Sequence, residues 1–374
     1  FGYKIQKVRG EMVEQVKGKA NNELANLYLT ELEKRASWGM NPTVENWAKI
    51  GTSMGFMMTL GFNVSSAFVN LSQLPIVVFP HLGGKYGYAE TMKAMGNASK
   101  VFMFSGTKRK QESIGPNGEI VENVGAAWSL DNYNFDAADT PKKIKEYKEL
   151  AEVAKDFGQL NRSITYDMLD VHDNARSTFQ KFNMFSGFIF HHAERFNRQN
   201  VLIAAYDLEL NSLRKQGKVV DKAAKIQAAE DAIYVTELTN SGAIATMAPR
   251  LAQQGVGKIA FLFKRYGISM YYLIAKLTHQ TFKGEERAVA AKQLAGIFGM
   301  SGLVAGVHGL PLFGELAQIH DMIFEDEDDD DFETSVRKTI NEGFYNGLFN
   351  YIIGVDGASR MGLSNLIFRE PLIK

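Results

Sequence analysis

The chain has 374 residues, with 42 basic and 42 acidic side chains, so its net charge gives no preference for nucleic acid, anionic membranes or acidic partners. It contains no cysteine, which excludes disulfides, thiolate catalysis and cysteine-based zinc sites. Abundant apolar residues and few prolines are typical of long packed helices. The chain runs from Phe1 to Lys374 without a signal-peptide core, and we expect it to be a segment of a longer polypeptide.

The spacing of apolar residues predicts a mainly α fold, with many helices in an elongated or bundle-like arrangement. Strand signals are slight, and we expect at most a small β-hairpin near residues 114–121. Changes in charge and turn content predict five consecutive units: an N-terminal helical unit (1–107), a loop or hairpin (108–139), a central helical bundle (140–324), an acidic linker (325–331) and a C-terminal helical segment (332–374).

Two long stretches, 50–84 and 293–314, contain no charged residue. Each is long enough to cross a bilayer as a helix, which takes about 20 residues. Both contain glycines four residues apart, a spacing that lets two helix backbones approach closely in lipid: Gly51/Gly55 and Gly302/Gly306. The stretches are therefore candidate membrane segments as well as candidate core helices.

Other residues in the two uncharged stretches make them poor permanent membrane spans. Asn63, Asn70 and Gln73 lower the hydrophobicity of the first stretch. Prolines are expected to break helices in both stretches, at Pro75, Pro80 and Pro311. Two alternatives stay open: helices buried inside a water-soluble assembly, or helices that insert into a membrane only under certain conditions.

Three helices of the central bundle have recognisable ends. The first is expected to begin with Thr140 as N-cap and Pro141 at the first helical position, and to end at Gly158. Its apolar side follows at three- and four-residue steps: Ile144, Tyr147, Leu150, Ala151, Ala154 and Phe157. A second helix is predicted to end at about Arg214, with Gly217 after it, and a third to run from Asp221 to about Leu238.

His191 and Glu194 lie three residues apart and would share one face of a helix. With His172 and Asp173 they suggest a metal site, but the sequence lacks the second Glu-x-x-His or the His-Glu-x-x-His of known carboxylate–histidine sites. We interpret them as partners in hydrogen bonds between helices. The acidic run at 325–331 lacks the spacing of a calcium loop, and the chain has no phosphate loop or nucleophile elbow. No catalytic, cofactor or metal residue is predicted.

The segment from Lys258 to His279 is rich in Phe, Tyr and Ile. We predict a core helix whose cations reach the surface through their long stems: Lys258, Lys264, Arg265 and Lys276. The alternative is an aromatic and basic face that meets nucleic acid or lipid headgroups.

Several blocks of residues together resemble the C-terminal helical region of the large polyvalent, or PLxRFG-type, proteins of phages. These blocks are Asn63–Leu71, Glu194–Arg198, Ala204–Glu209, Phe263–Tyr266, Glu286–Ala288, Gly309–Leu312 and Gly354–Leu363. The resemblance covers most of the chain and is strongest from about Asp170 to Leu366. The chain lacks the Pro-Leu-x-Arg-Phe-Gly sequence that gives the group its name.

The resemblance implies an internal virion, or ejection, protein of a short-tailed phage. Such a protein would lie in the virion interior near the portal and move into the host cell envelope on ejection. The partners implied are further copies of the chain, other core or portal proteins, phage DNA and, under some conditions, the host membrane. Five cations are candidate contacts with DNA or partner subunits: Arg195, Arg198, Lys264, Arg265 and Arg360. Two alternatives remain, a segment of a larger phage enzyme (a cell-wall hydrolase or a polymerase-associated protein) whose active residues lie elsewhere, and a soluble scaffold inside the capsid.

Overall fold

The fold is described from a computed structural model. It covers residues 26–27, 29–31, 34, 46–59, 64–105, 111–114, 120–123, 128–138, 140–160, 178–240, 255–260, 265–311, 313–324 and 331–353. Within these residues the chain is mainly α-helical, as the apolar spacing predicts.

The first part of the chain contains α1 (Asn46–Thr59), α2 (Val64–Leu71), a π-helix (Leu74–Val78), α3 (Phe79–Tyr86) and α4 (Tyr88–Ser105). The central part contains a 3-10 turn (Leu130–Asn132), α5 (Lys142–Lys145), α6 (Lys148–Asp156), α7 (Thr178–Lys215), α8 (Lys222–Thr239), α9 (Gly255–Ala260), α10 (Arg265–Lys283) and α11 (Arg287–Ala305). The last part contains a 3-10 turn (Val307–Gly309), α12 (Phe313–Phe324), α13 (Phe332–Thr339) and α14 (Glu342–Ile353).

The predicted hairpin is present between α4 and α5. Its strands β1 (Gln111–Ile114) and β2 (Ile120–Asn123) pair antiparallel, with Ile114 opposite Ile120 and Gln111 opposite Asn123. It forms the two-stranded sheet of the described part of the chain.

The long helix α7 is the centre of the larger of two hydrophobic cores. It packs against α2, α4 and α8, and α6 covers α8. Its consecutive residues Val201 to Tyr206 are almost completely buried, since neighbours surround this part of the helix on all sides. The predicted N-terminal unit (1–107) and central bundle (140–324) therefore share this core through Leu82, Ala98, Leu150, Tyr206 and Ile233.

A second, smaller core lies where the π-helix meets α10 and α11. It contains Ile76, Val77, Met270, Leu273, Leu277, Ala290, Ile297 and Ala305. Met270, Leu273 and Leu277 follow one another at three- and four-residue steps, so α10 has a buried face as predicted. The same helix exposes Tyr272.

The predicted helix ends are partly confirmed. Asp221 caps α8, where its side chain accepts a hydrogen bond from the backbone N–H of Ala224 at 2.8 Å. Gly158 and Gly217 both have the positive φ of a helix C-cap. The prediction for Thr140 is wrong, because its hydroxyl donates to the carbonyl of Asn134 and Pro141 occupies the N-cap position.

The prolines of the first uncharged stretch do not break its helix, contrary to expectation. Pro75 lies in the first turn of the π-helix, and Pro80 in the first turn of α3. The helical backbone continues through both prolines, since Gln73 and Val78 have helical φ and ψ and the N–H of Phe79 bonds to the carbonyl of Leu74 five residues earlier. Only Ser72 and Gln73 separate α2 from the π-helix, and α3 follows directly. Pro311 does lie between helices, after the 3-10 turn that follows α11.

The acidic run predicted as a linker ends in a helix cap. Asp331 precedes α13 and accepts a hydrogen bond from the backbone N–H of Thr334 at 2.7 Å. A hydrogen bond with the side chain of Thr334, and after it this backbone bond, lowers the pKa of the Asp331 carboxyl. Residues 325–330 of the predicted linker lie outside the described residues.

Candidate functional site

The two uncharged stretches pack against each other, α3 and the π-helix of the first against α11 of the second. Gly84 of α3 lies at Gln293 of α11, where a Cβ on the glycine would be 2.6 Å from Cγ of Gln293. Gln293 also donates through its Nε2 to the carbonyl of His81 at 2.7 Å. Gly296 of α11 faces Pro80, whose Cβ would be 2.8 Å from an added Cβ. Small residues thus let the two helices approach closely.

The end of the second stretch is held by a further glycine contact. Gly306, with φ +65°, follows α11, and Gly347, with φ +78°, lies at a kink inside α14. A Cβ on Gly306 would overlap the carbonyl oxygen of Tyr345, and a Cβ on Gly347 would overlap the backbone nitrogen of Gly306. Both positions require glycine, because the φ values are unfavourable for other residues and the backbones touch.

Helix α11 has the length and the mean hydropathy needed to cross a membrane, and it is the one described helix that does. Only 28% of its most apolar window is buried. Its buried side contains Ala290, Gln293, Ile297, Ser301 and Ala305, at helical spacing. Hydropathy and length alone are weak evidence for insertion, since core helices of soluble proteins pass the same test.

Helix α1 presents apolar side chains to solvent. Trp47, Ile50, Met54 and Met58 follow at three- and four-residue steps and are 51%, 55%, 52% and 84% exposed. Its inner side contains the fully buried Phe56, whose ring lies edge-on to Phe190 of α7 with centroids 6.1 Å apart.

Polar side chains lie on the inner side of the same helix. Thr52 is fully buried, and its hydroxyl donates to the carbonyl of Ala48 at 3.0 Å; Ser53 is buried as well. The buried side of α1 is therefore partly apolar and partly polar, while its exposed side is apolar where a surface helix of a monomer would be polar.

A second apolar surface lies near the C-terminal end of the described chain. Helix α12 exposes Leu316, Ile319, Met322 and Ile323, and α14 exposes Phe344, Leu348 and Tyr351. On each helix these residues recur at helical spacing, so each forms a stripe along one face. We call the exposed side chains of α1 the α1 stripe, and those of α12 and α14 the C-terminal stripes. Surfaces of this kind are typical of protein–protein or membrane contacts.

Amide side chains fill the interior around α7. Gln199 is fully buried; its Oε1 accepts from the backbone N–H of Leu130 at 2.7 Å and its Nε2 donates to the hydroxyl of Ser129 at 2.9 Å. Asn197 donates to the side chain of Asn70 at 2.6 Å, and Asn200 donates to the hydroxyl of Ser99 at 2.7 Å. These bonds fix α7 relative to α2, α4 and the segment before α5, since buried amides that lose partners cost free energy.

A second polar group lies where α4, α6 and α7 meet. Asp207 accepts hydrogen bonds from Asn97 at 2.8 Å and from the hydroxyl of Tyr147 at 2.9 Å, and Lys143 donates to Asn97 at 2.7 Å. Burial raises the pKa of Asp207, although both hydrogen bonds oppose the shift. The arrangement joins the helices through these hydrogen bonds.

His191 and Glu194 lie in the middle part of α7, and both side chains are buried. Glu194 forms an ion pair with Arg198 of the same helix at 3.2 Å, and both side chains are almost completely buried. Burial, and after it the nearby charge of Arg195, lowers the pKa of His191 to about 3. No group of three or more metal-ligating side chains exists among the described residues. His172 and Asp173 lie outside them.

Of the five cations predicted to contact DNA or partner subunits, one is buried, two others lie on described helices and two lie outside the described residues. Arg198 is 3% exposed and is held by Glu194 and by Gln159, so its guanidinium does not reach the surface. Arg195 is half-buried on α7, and Arg265 begins α10. Lys264 and Arg360 lie outside the described residues.

Sequence reasoning missed the α1 stripe. The signal was present, since residues 47, 50, 54 and 58 have helical spacing. Such spacing tells which residues share a face, but it does not tell whether that face is inside or outside.

Comparison of the chain with protein-family models, with curated proteins and with solved structures finds no match.

Proposed function

We propose that the chain is a structural and ejection component of a phage virion. It would be an internal core protein near the portal and would form part of a DNA-translocation conduit in the host envelope. The observation that supports it best is the exposed apolar side of α1, which includes Met54 and Met58. An exposed apolar stripe along a helix suits a helix that is covered by another subunit.

Assembly would use the α1 stripe and the C-terminal stripes. Obligate interfaces resemble a domain core cut in half, with apolar residues at their centre. The partners would be further copies of this chain and other core or portal proteins. Methionine side chains at 54, 58 and 322 are suited to such contacts, because their flexible thioethers adapt to different partner surfaces.

The envelope step of the proposal involves α11. This helix has the length and hydropathy for a membrane and exposes Ala295, Gly299 and Leu303 along one side. Its contact with α3 depends on glycines, which is also how helices pack in lipid. We propose that this pair of helices stays packed in the virion and contacts lipid only after ejection.

DNA remains a proposed partner with few supporting residues. Arg198 is buried and paired with Glu194, so it does not contribute in this conformation. The proposal for DNA contact therefore rests on Arg195, Lys264, Arg265 and Arg360. No catalytic role is proposed for the chain.

The proposal is tested by locating the protein in the phage that encodes it. Cryo-electron microscopy of intact particles should show density for the protein inside the capsid, coaxial with the portal, and mass spectrometry should find it lost from particles that have ejected their DNA. A chain that stays in the cytoplasm as a free monomer and never enters particles would contradict the proposal. Cell-wall or nucleic-acid hydrolysis by the full-length protein, absent from this chain on its own, would favour the enzyme alternative.

A further inference from the structure

Exposed lysines of α4 and α5 come together around Asn97. Lys93, Asn97 and Lys100 follow one another at steps of four and three residues, so they share one face of α4. Lys143 of α5 reaches this face, where its Nζ donates to Oδ1 of Asn97 at 2.7 Å. Its neighbour Lys142 is exposed as well. We call Lys93, Lys100, Lys142 and Lys143 the lysine cluster.

The acidic groups next to the lysine cluster are already engaged. Asp207 is half-buried behind Asn97 and accepts hydrogen bonds from Asn97 at 2.8 Å and from the hydroxyl of Tyr147 at 2.9 Å. Glu146 directly follows α5 and lies 3.4 Å from Arg214 of α7. Asp207 can offset one lysine charge, and the charge of Glu146 is offset by Arg214. Most of the positive charge of the cluster therefore remains.

Among the residues that the structure describes, no member of the lysine cluster forms an ion pair. Other lysines nearby do so, Lys148 with Asp136 at 2.7 Å and Lys215 with Glu90 at 3.4 Å. Because the whole chain has equal numbers of acidic and basic side chains, the cluster is a local excess of charge. An excess of exposed cations attracts polyanions, and the counterions that are released add to the affinity.

The spacing of the lysines suits a phosphate backbone. Seven residues separate Lys93 from Lys100, which is about 10 Å along the axis of a helix. Duplex DNA carries a negative charge every 1.7 Å or so of its axis, so about 10 Å spans several phosphates. We propose that the lysine cluster is a contact surface for the phosphate backbone of duplex DNA. The inference rests on the DNA contact included in the proposed function, which it assigns to α4 and α5. Contacts with phosphates do not read base sequence, so binding is independent of it.

Lipid headgroups also carry phosphates, and α4 exposes apolar side chains too. Met92 is 61% exposed and Met103 is 54% exposed. Their positions on the helix place them on one side of Gly96, whereas Lys93 and Lys100 lie on its other side, towards α5. A membrane would need the apolar side chains and the cations to face it together. The placement therefore favours DNA, and lipid is the comparison in the test.

The test is the fluorescence anisotropy of a labelled DNA duplex titrated with the whole chain, at several salt concentrations between about 50 and 200 mM. The unaltered chain should bind more weakly as the salt concentration rises. At the lowest salt concentration the affinity of the triple glutamine variant should be at least about tenfold lower, and the slope of log affinity against log salt should be shallower by about 1 for each lysine removed. This variant is Lys93→Gln, Lys100→Gln, Lys143→Gln.

The matched control removes the same charge from exposed lysines of other parts of the chain, and its affinity should stay within about twofold of the unaltered chain. This control is Lys218→Gln, Lys222→Gln, Lys283→Gln. Arginine at the three cluster positions keeps the charge and should keep the affinity. If the triple glutamine variant does not fold, Lys93→Gln, Lys100→Gln takes its place, since neither lysine donates a hydrogen bond to another described residue.

Equal DNA affinity of the triple glutamine variant and the matched control would overturn the inference and leave the proposed DNA contact to other cations. No binding of DNA by the unaltered chain at about 100 μM would overturn the inference and the DNA contact together, while a location inside the virion is tested separately by microscopy. Co-sedimentation with vesicles of phosphatidylcholine and phosphatidylglycerol is the second arm. Loss of vesicle binding in the triple glutamine variant, with unchanged DNA affinity, would overturn the assignment to DNA.

Discussion

Gly84 of α3 packs directly against Gln293 of α11, with no room for a side chain at the glycine. A Cβ there would lie 2.6 Å from Cγ and 2.9 Å from the backbone nitrogen of Gln293. The backbone nitrogen cannot move aside in the way a flexible side chain can. This contact joins the two uncharged stretches, which lie more than 200 residues apart in the sequence, as the hydrogen bond from Gln293 to His81 also does.

Adding a methyl group at this contact should destabilise the fold. Gly84→Ala and Gly296→Ala are each expected to lose about 1–2 kcal/mol, because overpacking costs more than the gain in helix propensity from alanine. The free energy of unfolding in urea, followed by circular dichroism, measures the effect.

The matched control is Gly299→Ala, three residues further along α11. Nothing lies within 4 Å of a Cβ at Gly299. Alanine there should leave the stability unchanged or raise it by up to about 1 kcal/mol. Equal stability of Gly296→Ala and Gly299→Ala would contradict the close packing of α3 on α11.

Replacing Gln199 by alanine should cost about 1–3 kcal/mol, because the buried N–H of Leu130 and hydroxyl of Ser129 would each lose a partner. The comparison is Gln227→Ala, since Gln227 is exposed on α8 and, among the described residues, bonds only to Asp231 of its own helix. That variant should stay within about 0.5 kcal/mol of the unaltered chain. Differential scanning calorimetry of the two variants measures the difference, and an equally small loss at Gln199 would refute the buried amide network.

The stability of the fold should decrease as the pH falls below 6.5. In the unfolded chain a histidine takes up a proton near its ordinary pKa of 6.5, while burial lowers the pKa of His81 to about 4 and of His191 to about 3 in the folded chain. Between these values the unfolded state binds more protons, so stability is complete above pH 6.5 and is lost on acidification. Each histidine contributes a slope of at most about 1.4 kcal/mol per pH unit.

Two buried carboxyls oppose this trend at lower pH. Burial raises the pKa of Asp207 and of Glu237, so protonation of these groups favours the folded state as the pH falls through their folded values. The histidine effect should therefore be clearest between pH 6.5 and about 5.5. Urea unfolding of His81→Gln over this range should show a shallower loss of stability than the unaltered chain, and an identical slope would exclude His81 as a source of the pH dependence.

Local signals in the sequence predicted local structure well. Asp221 caps α8 because a carboxylate before a helix accepts from its free N–H groups, and Gly158 and Gly217 end helices because glycine tolerates positive φ. The same reasoning was wrong for Thr140, because its hydroxyl donates to the carbonyl of Asn134 and does not cap a helix. Pro75 and Pro80 were misjudged because their place in the first turns of helices was not visible from composition.

The parts of the candidate site that depend on tertiary packing were not predictable in this way. Gln199 and Asn197 would ordinarily be assigned to a surface, and only their partners Leu130, Ser129 and Asn70 explain their burial. The glycines of the uncharged stretches indicated close helix packing, but nothing local told which helix each one would meet. The outward direction of Met58 had no local signal either.

Sedimentation velocity of Met58→Lys against Val219→Lys tests the central claim, that the α1 stripe is an assembly surface. The two side chains are 84% and 83% exposed, so each substitution adds the same charge at the same exposure, but Val219 lies outside the stripe. The unaltered chain and Val219→Lys should form the same oligomer. The oligomer of Met58→Lys should dissociate at protein concentrations at least about tenfold higher than the oligomer of the unaltered chain does. An unaltered chain that is monomeric at every concentration, or equal assembly of the two variants, would contradict the account.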